Sequence, residues 1–194
     1  MRKKLLCFMG IFLILIIFST LFVYYFLMDN LYEPIIITDV DEYSAIFDIK
    51  YPEKHIDYET KLFPKTIDNL DVQKYEFIHK TYSLFGTGWQ IVLDIRYDND
   101  SFSEEVERIK SLCKNSPIYG ISEHFENQAY ATVWKNYNCY EYAIVDEKNS
   151  QIAYVYLQLV PPEKITIEKK YIPKDYDELY RFGDEKTHIF SIYQ

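Results

Sequence analysis

Residues 89–97 read Trp-Gln-Ile-Val-Leu-Asp-Ile-Arg-Tyr. Trp89, Ile91, Leu93, Ile95 and Tyr97 fall on one face of an extended chain; Gln90, Asp94 and Arg96 fall on the other, joined only by Val92. Successive strand side chains point to opposite faces, so this alternation predicts a half-buried β-strand. Upstream, Phe85-Gly86-Thr87-Gly88 reads as a turn, and residues 72–82 form a weakly alternating run of polar and aromatic side chains. Together the two runs predict a hairpin.

Downstream the period changes. Phe102, Val106, Ile109, Leu112 and Cys113 recur at helical spacing and make one apolar stripe. Asp100 or Ser101 can cap this helix, and Ser101 with Glu104 has capping-box spacing. Acidic residues come early and basic ones late, as the helix dipole favours, and Pro117 enforces a stop. These signals predict one main helix over about residues 101–114. Three more strands are expected at 129–135, 139–145 and 152–159, the last two flanking the turn Asp146-Glu147-Lys148-Asn149. Pro161-Pro162 closes the last of them, 175–181 reads as a short helix capped by Asp175, and 189–193 as a final strand. Residues 35–38 read as a short strand, whereas 42–49 fit helix or strand equally. The sum is an α+β domain over 61–194, with an antiparallel sheet packed on one main helix.

Parity then assigns the faces. Tyr140, Tyr142 and Ile144 should share a face with Ala153, Val155 and Leu157 across an even-length turn. That face is the more apolar, so it is expected under the helix, with Ala131 and Val133. Tyr130, Trp134, Tyr154 and Tyr156 would then point away, as a candidate ligand-binding platform for stacking on sugars or gripping a peptide. The bland alternative is that segments 31–60 and 161–194 cover it. Cys113 and Cys139 are the candidate disulfide, closing a 26-residue loop worth about 3.5 kcal/mol. Parity counts against the bond, because Cys139 would lie with Glu141 on the face away from the helix.

Motifs for chemistry are missing. Gly86-Thr87-Gly88 opens a strand, not the helix a phosphate loop needs. Asp98-Asn99-Asp100 begins like a calcium loop, but Phe102 and Ser103 stand where a ligand and a glycine belong. His55, His79, His124 and His188 are scattered, with no His-Glu-x-x-His or Cys-x-x-Cys spacing. No catalytic residue, metal ligand or cofactor is expected.

At the N-terminus, residues 5–28 carry no charge. As a helix these 24 residues would be about 36 Å long, against a hydrocarbon core of about 30 Å. The run is too long for a signal-peptide core and is followed by no Ala-x-Ala-like site, so a retained signal anchor is expected. Arg2, Lys3 and Lys4 mark residues 1–4 as the cytoplasmic tip and place the rest outside the cell membrane. Residues 29–60 read as a tether merging into the domain. Of the chain's 21 Lys+Arg, the 18 outside that tip face 30 Asp+Glu, a net of −12 that disfavours nucleic acid as a partner. Abundant Ile, Lys, Tyr and Asn point to an AT-rich, bacterial genome.

The layout resembles that of small single-pass, membrane-anchored bacterial envelope proteins of unknown function. The likeness rests on the basic tip, the single anchor, the Leu62-Phe63-Pro64 entry and the hairpin from Tyr142-Ala143-Ile144-Val145 into Ile152-Ala153-Tyr154-Val155. It implies location and architecture and brings no site residues. The expectation is a membrane-tethered extracytoplasmic binding module for an envelope protein or glycan. The alternatives are an envelope hydrolase or transferase, and a toxin-immunity or inhibitor protein.

Overall fold

The computed structural model describes residues 10, 12–24, 33–43, 60–83, 86–114, 121–136 and 138–182. Its centre is a six-stranded antiparallel sheet: β1 (Ile35–Ile37), β2 (Asp71–Ser83), β3 (Gly86–Arg96), β4 (Gln128–Asn136), β5 (Cys139–Asp146) and β6 (Gln151–Gln158). The order across it is β1-β2-β3-β6-β5-β4. A β2–β3 hairpin and a β4–β5–β6 meander therefore meet along the β3–β6 ladder, which runs from Trp89 opposite Gln158 to Arg96 opposite Gln151. Helices are numbered α1 (residues 12–24), α2 (Asn99–Cys113) and α3 (Tyr176–Phe182). The fold is α+β, as expected. The expected strand at 189–193 lies outside the described residues, as do His55 and His188.

The expected hairpin forms, but its strands run through the glycines, and β3 begins at Gly86. Main helix α2 starts two residues early because Asp98 caps it. Asp98 Oδ1 accepts from the backbone N–H groups of Asp100 and Ser101 at 3.1 and 3.0 Å, satisfying donors that have no partner within the helix. The expected cap at Asp100 or Ser101 is thereby corrected. The β5–β6 turn follows the same logic: Asp146 Oδ1 accepts from the Lys148 and Asn149 backbone, and Ser150 turns the chain at φ 50°.

The face assignment is reversed for β5, β6 and the start of β4, while Val133 lies under α2 and Trp134 away from it, as expected. Val106, Ile109 and Cys113 of α2 pack on Ile91, Leu93, Ile95, Tyr130, Cys139, Ala143, Val145, Ile152, Tyr154 and Tyr156. Tyr140, Tyr142, Ile144, Ala153, Val155 and Leu157 do share one face, but it is the other one, covered by Ile121, Phe125, Ile167, Tyr171, Tyr176 and Leu179. The protein thus has three layers, with residues 160–182 wrapped over the sheet opposite α2. The expected two-layer arrangement is corrected accordingly. β5 and β6 are buried almost end to end, so neither face needs to be polar. The face chosen for α2 carries tyrosines because the helix supplies their partners: the Tyr154 hydroxyl donates to Glu105, and Tyr97 and Tyr154 hydroxyls lie 2.7 Å apart.

Residues 29–60 are more than a tether. β1 pairs with β2, Ile36 opposite Ile78, and becomes the sheet's first strand. Residues 60–64 fold over α2's side of the sheet, where Leu62 and Phe63 are buried and Arg108 donates to the Leu62 carbonyl. Residues 12–24 are helical with exposed apolar side chains. Among the described residues no helix is long and apolar enough to cross a membrane. The expected span, 5–28, extends beyond the described residues on both sides of α1.

Candidate functional site

Tyr130, Trp134, Tyr154 and Tyr156 do not form a platform. All four are buried, and they divide between the two faces. Tyr130, Tyr154 and Tyr156 lie under α2, whereas Trp134 packs on the opposite side against Phe125, Tyr140 and Tyr142. A register shift between Ala131 and Val133 adds a residue to β4 and flips the parity of everything after it. Residues 160–182 cover the face opposite α2, so of the four aromatics the bland alternative holds for Trp134 alone, while Tyr130, Tyr154 and Tyr156 are covered from the α2 side.

Cys113 and Cys139 also end up together, against the parity argument: both sit in the core under α2, buried, with free thiols. Burial and then the Glu141 charge push the Cys113 thiol up to about 12. Burial pushes Cys139 up to about 11, with Tyr156 pulling the other way and Glu141 adding to the rise. Both remain protonated at neutral pH and are poor nucleophiles.

The polar side chains that break the apolar pattern are anchors for covering segments. Gln90 and Asp94, read as a solvent-facing row, are 0% and 3% exposed. Gln90 accepts from Thr166 N at 2.9 Å and donates to the Lys164 carbonyl at 3.2 Å. Asp94 accepts from Gln151 and from the Tyr171 hydroxyl, each at 2.7 Å. Glu141, 0% exposed, accepts from the backbone N–H groups of Lys61 and Leu62 at 2.6 and 2.8 Å, and from the Thr132 hydroxyl. These carboxylates hold the outer layers on.

His124 is the nearest approach to catalytic geometry. Its Nδ1 lies 2.8 and 3.0 Å from the two Asp175 carboxylate oxygens, and its ring lies 5.1 Å from that of Trp134. An aspartate-held imidazole can accept a proton at Nε2, yet the group 3.7 Å from Nε2 is Glu123, another carboxylate. Among the described residues no serine, threonine or cysteine hydrogen-bonds that nitrogen. The Lys174 backbone N–H also donates to the His124 carbonyl, at 2.9 Å. The pair therefore staples residues 121–125 to 174–176. Among the described residues, no group of three or more His, Cys, Asp or Glu could hold a metal.

Among the described residues of the domain, the β1 end of the sheet exposes apolar strand side chains that no described segment covers. Ile35 and Ile36 are 53% and 56% exposed although they belong to a strand. Below Ile36, a groove of about 250 Å³ runs between β1, β2 and the 163–166 segment, lined by Ile36, Ile78 and Gln90 and by the charged residues Glu76, Lys80, Glu163 and Lys164. Exposed Glu33, Asp39, Asp41 and Glu42 flank β1. Sequence reasoning passed over this site by assigning 29–60 to a tether. The legible signal was an apolar triplet set between acids.

No family model, no curated protein and no solved structure matches the chain.

Proposed function

We propose that this protein is a membrane-tethered, extracytoplasmic interaction module whose contact surface is the β1 end of its sheet. The observation that carries the reading is the pair of exposed isoleucines on an edge strand beside an open groove, in a domain whose other apolar strand residues are largely buried. Exposed apolar side chains at a sheet edge are what partner recognition uses. The tether is supported by the uncharged run 5–28 and by the behaviour of its hydroxyls. Thr20 donates to the Ile16 carbonyl at 2.5 Å and Ser19 to the same carbonyl at 3.0 Å, so neither requires water. The buried carboxylates and the His124–Asp175 pair all have structural duties, which favours binding over catalysis.

A photo-cross-linker placed at Ile36 of the full chain, in its own membrane, tests the reading. It should give a discrete adduct, whereas the same group at Glu107 on the outer side of α2 should give none. An adduct from Glu107 but not Ile36 would overturn the assignment. A reporter fused after Gln194 should be active only outside the cytoplasm.

A further inference from the structure

We infer that the β1 edge takes an extended segment of another protein, apolar at its centre and basic on both sides, as an added strand. The inference rests on the interaction reading above and names the partner's chemistry.

Among the described residues β1 ends the sheet, and no described strand neighbours its outward backbone groups. A strand laid against it places the residue opposite Ile36 on Ile36's own face, above the groove. An apolar residue there packs on Ile36 and Ile78, the apolar side chains of a groove whose acidic Glu76 and Glu163 are matched by Lys80 and Lys164. Glu33 and Asp39 stand three residues before and after Ile36, with Asp41 and Glu42 just beyond. Either direction of the added strand therefore meets carboxylates at both ends, and Lys or Arg there completes opposite-charge pairs.

The same symmetry argues against a second copy. Two β1 strands paired antiparallel about Ile36 would set Glu33 of each against Asp39 of the other, repulsive at both ends. Anionic lipid head groups meet the same acidic rim.

The test uses the full chain in zwitterionic nanodiscs and two synthetic heptapeptides, Lys-Ser-Val-Ile-Val-Ser-Lys and its Glu-flanked counterpart, read by hydrogen exchange across residues 35–37. The Lys-flanked peptide should slow exchange by about fivefold or more, and added salt should weaken its binding. The Glu-flanked peptide should leave exchange unchanged. Ile36→Lys should abolish the slowing without altering the melting temperature, since that side chain is exposed. Equal slowing by both peptides, slowing by neither, or slow exchange before any peptide is added would each overturn the inference, the last by showing the edge already taken by bilayer or a second copy. An in-membrane adduct from Ile36 with no response to the Lys-flanked peptide would leave the interaction reading standing and remove only the partner chemistry. Absence of both would remove both.

Discussion

The sheet has two edges, and the protein treats them differently. At the β4 edge, Ser122 comes in beside the strand: the Ala129 backbone N–H donates to its hydroxyl at 2.9 Å, and Ile121 N–H donates to the Ala129 carbonyl at 3.4 Å. The bulge after Ala131 distorts what remains of that edge. Natural proteins blunt edges in this way to prevent unwanted pairing. The β1 edge is limited by shortness and flanking acids, yet it exposes two isoleucines. Among the described residues, one edge is met by the chain itself, and the other is left open with a charge pattern around it. That contrast is what separates a surface kept for a partner from one that is merely solvent-facing.

Four substitutions sharpen the contrast. Glu141→Ala, on β5 opposite Val133 of β4, should have the largest effect. It strands the Lys61 and Leu62 amides and the Thr132 hydroxyl without their acceptor, which should cost about 3–5 kcal/mol in the midpoint of denaturant unfolding. Ser122→Ala opens the β4 edge and should cost about 1 kcal/mol, with faster amide exchange at Ala129.

Asp98→Asn tests the pH dependence of α2. The Ser101 backbone N–H, then its hydroxyl, hold the Asp98 carboxyl below its usual range. Because the folded value is the lower one, the stabilisation is present above the unfolded carboxylate value of about 4. It is lost as the pH falls through the folded one. The wild-type stability curve should therefore drop more steeply in acid than the Asn variant's. Ile36→Lys should move stability by less than about 0.5 kcal/mol, because the side chain is more than half exposed. An Ile36 effect as large as that of Glu141 would mean that β1 is a core element, and the contrast between the edges would collapse.

The elements were legible in the sequence where one local signal sufficed. The 89–97 alternation, the 102–113 stripe and the Asp146 turn each specify their element within a few residues. What failed was the step from parity to faces. That step assumes the more apolar side lies under the helix, and here both sides are buried. Tyr154 lies under α2 because Glu105 is on α2 to meet its hydroxyl, a pairing between residues far apart in the chain. Trp134 points away from α2 as expected, but one extra residue in β4, which no residue type announces, separates it from Tyr130. Gln90 and Asp94 looked like solvent-facing residues because the segments they anchor, 164–166 and Tyr171, come much later in the chain. The β1 site was visible as Ile35-Ile36-Ile37 between acids, but only the sheet order makes it an edge.

The most direct test of the open edge compares hydrogen exchange of the full chain in its native membrane and after purification into nanodiscs. If β1 receives a partner, exchange across residues 35–37 is slow in the native membrane and fast in the nanodisc, while residues 128–131 of β4 exchange alike in both. Equal exchange at β1 in the two settings, or a change confined to β4, contradicts the account.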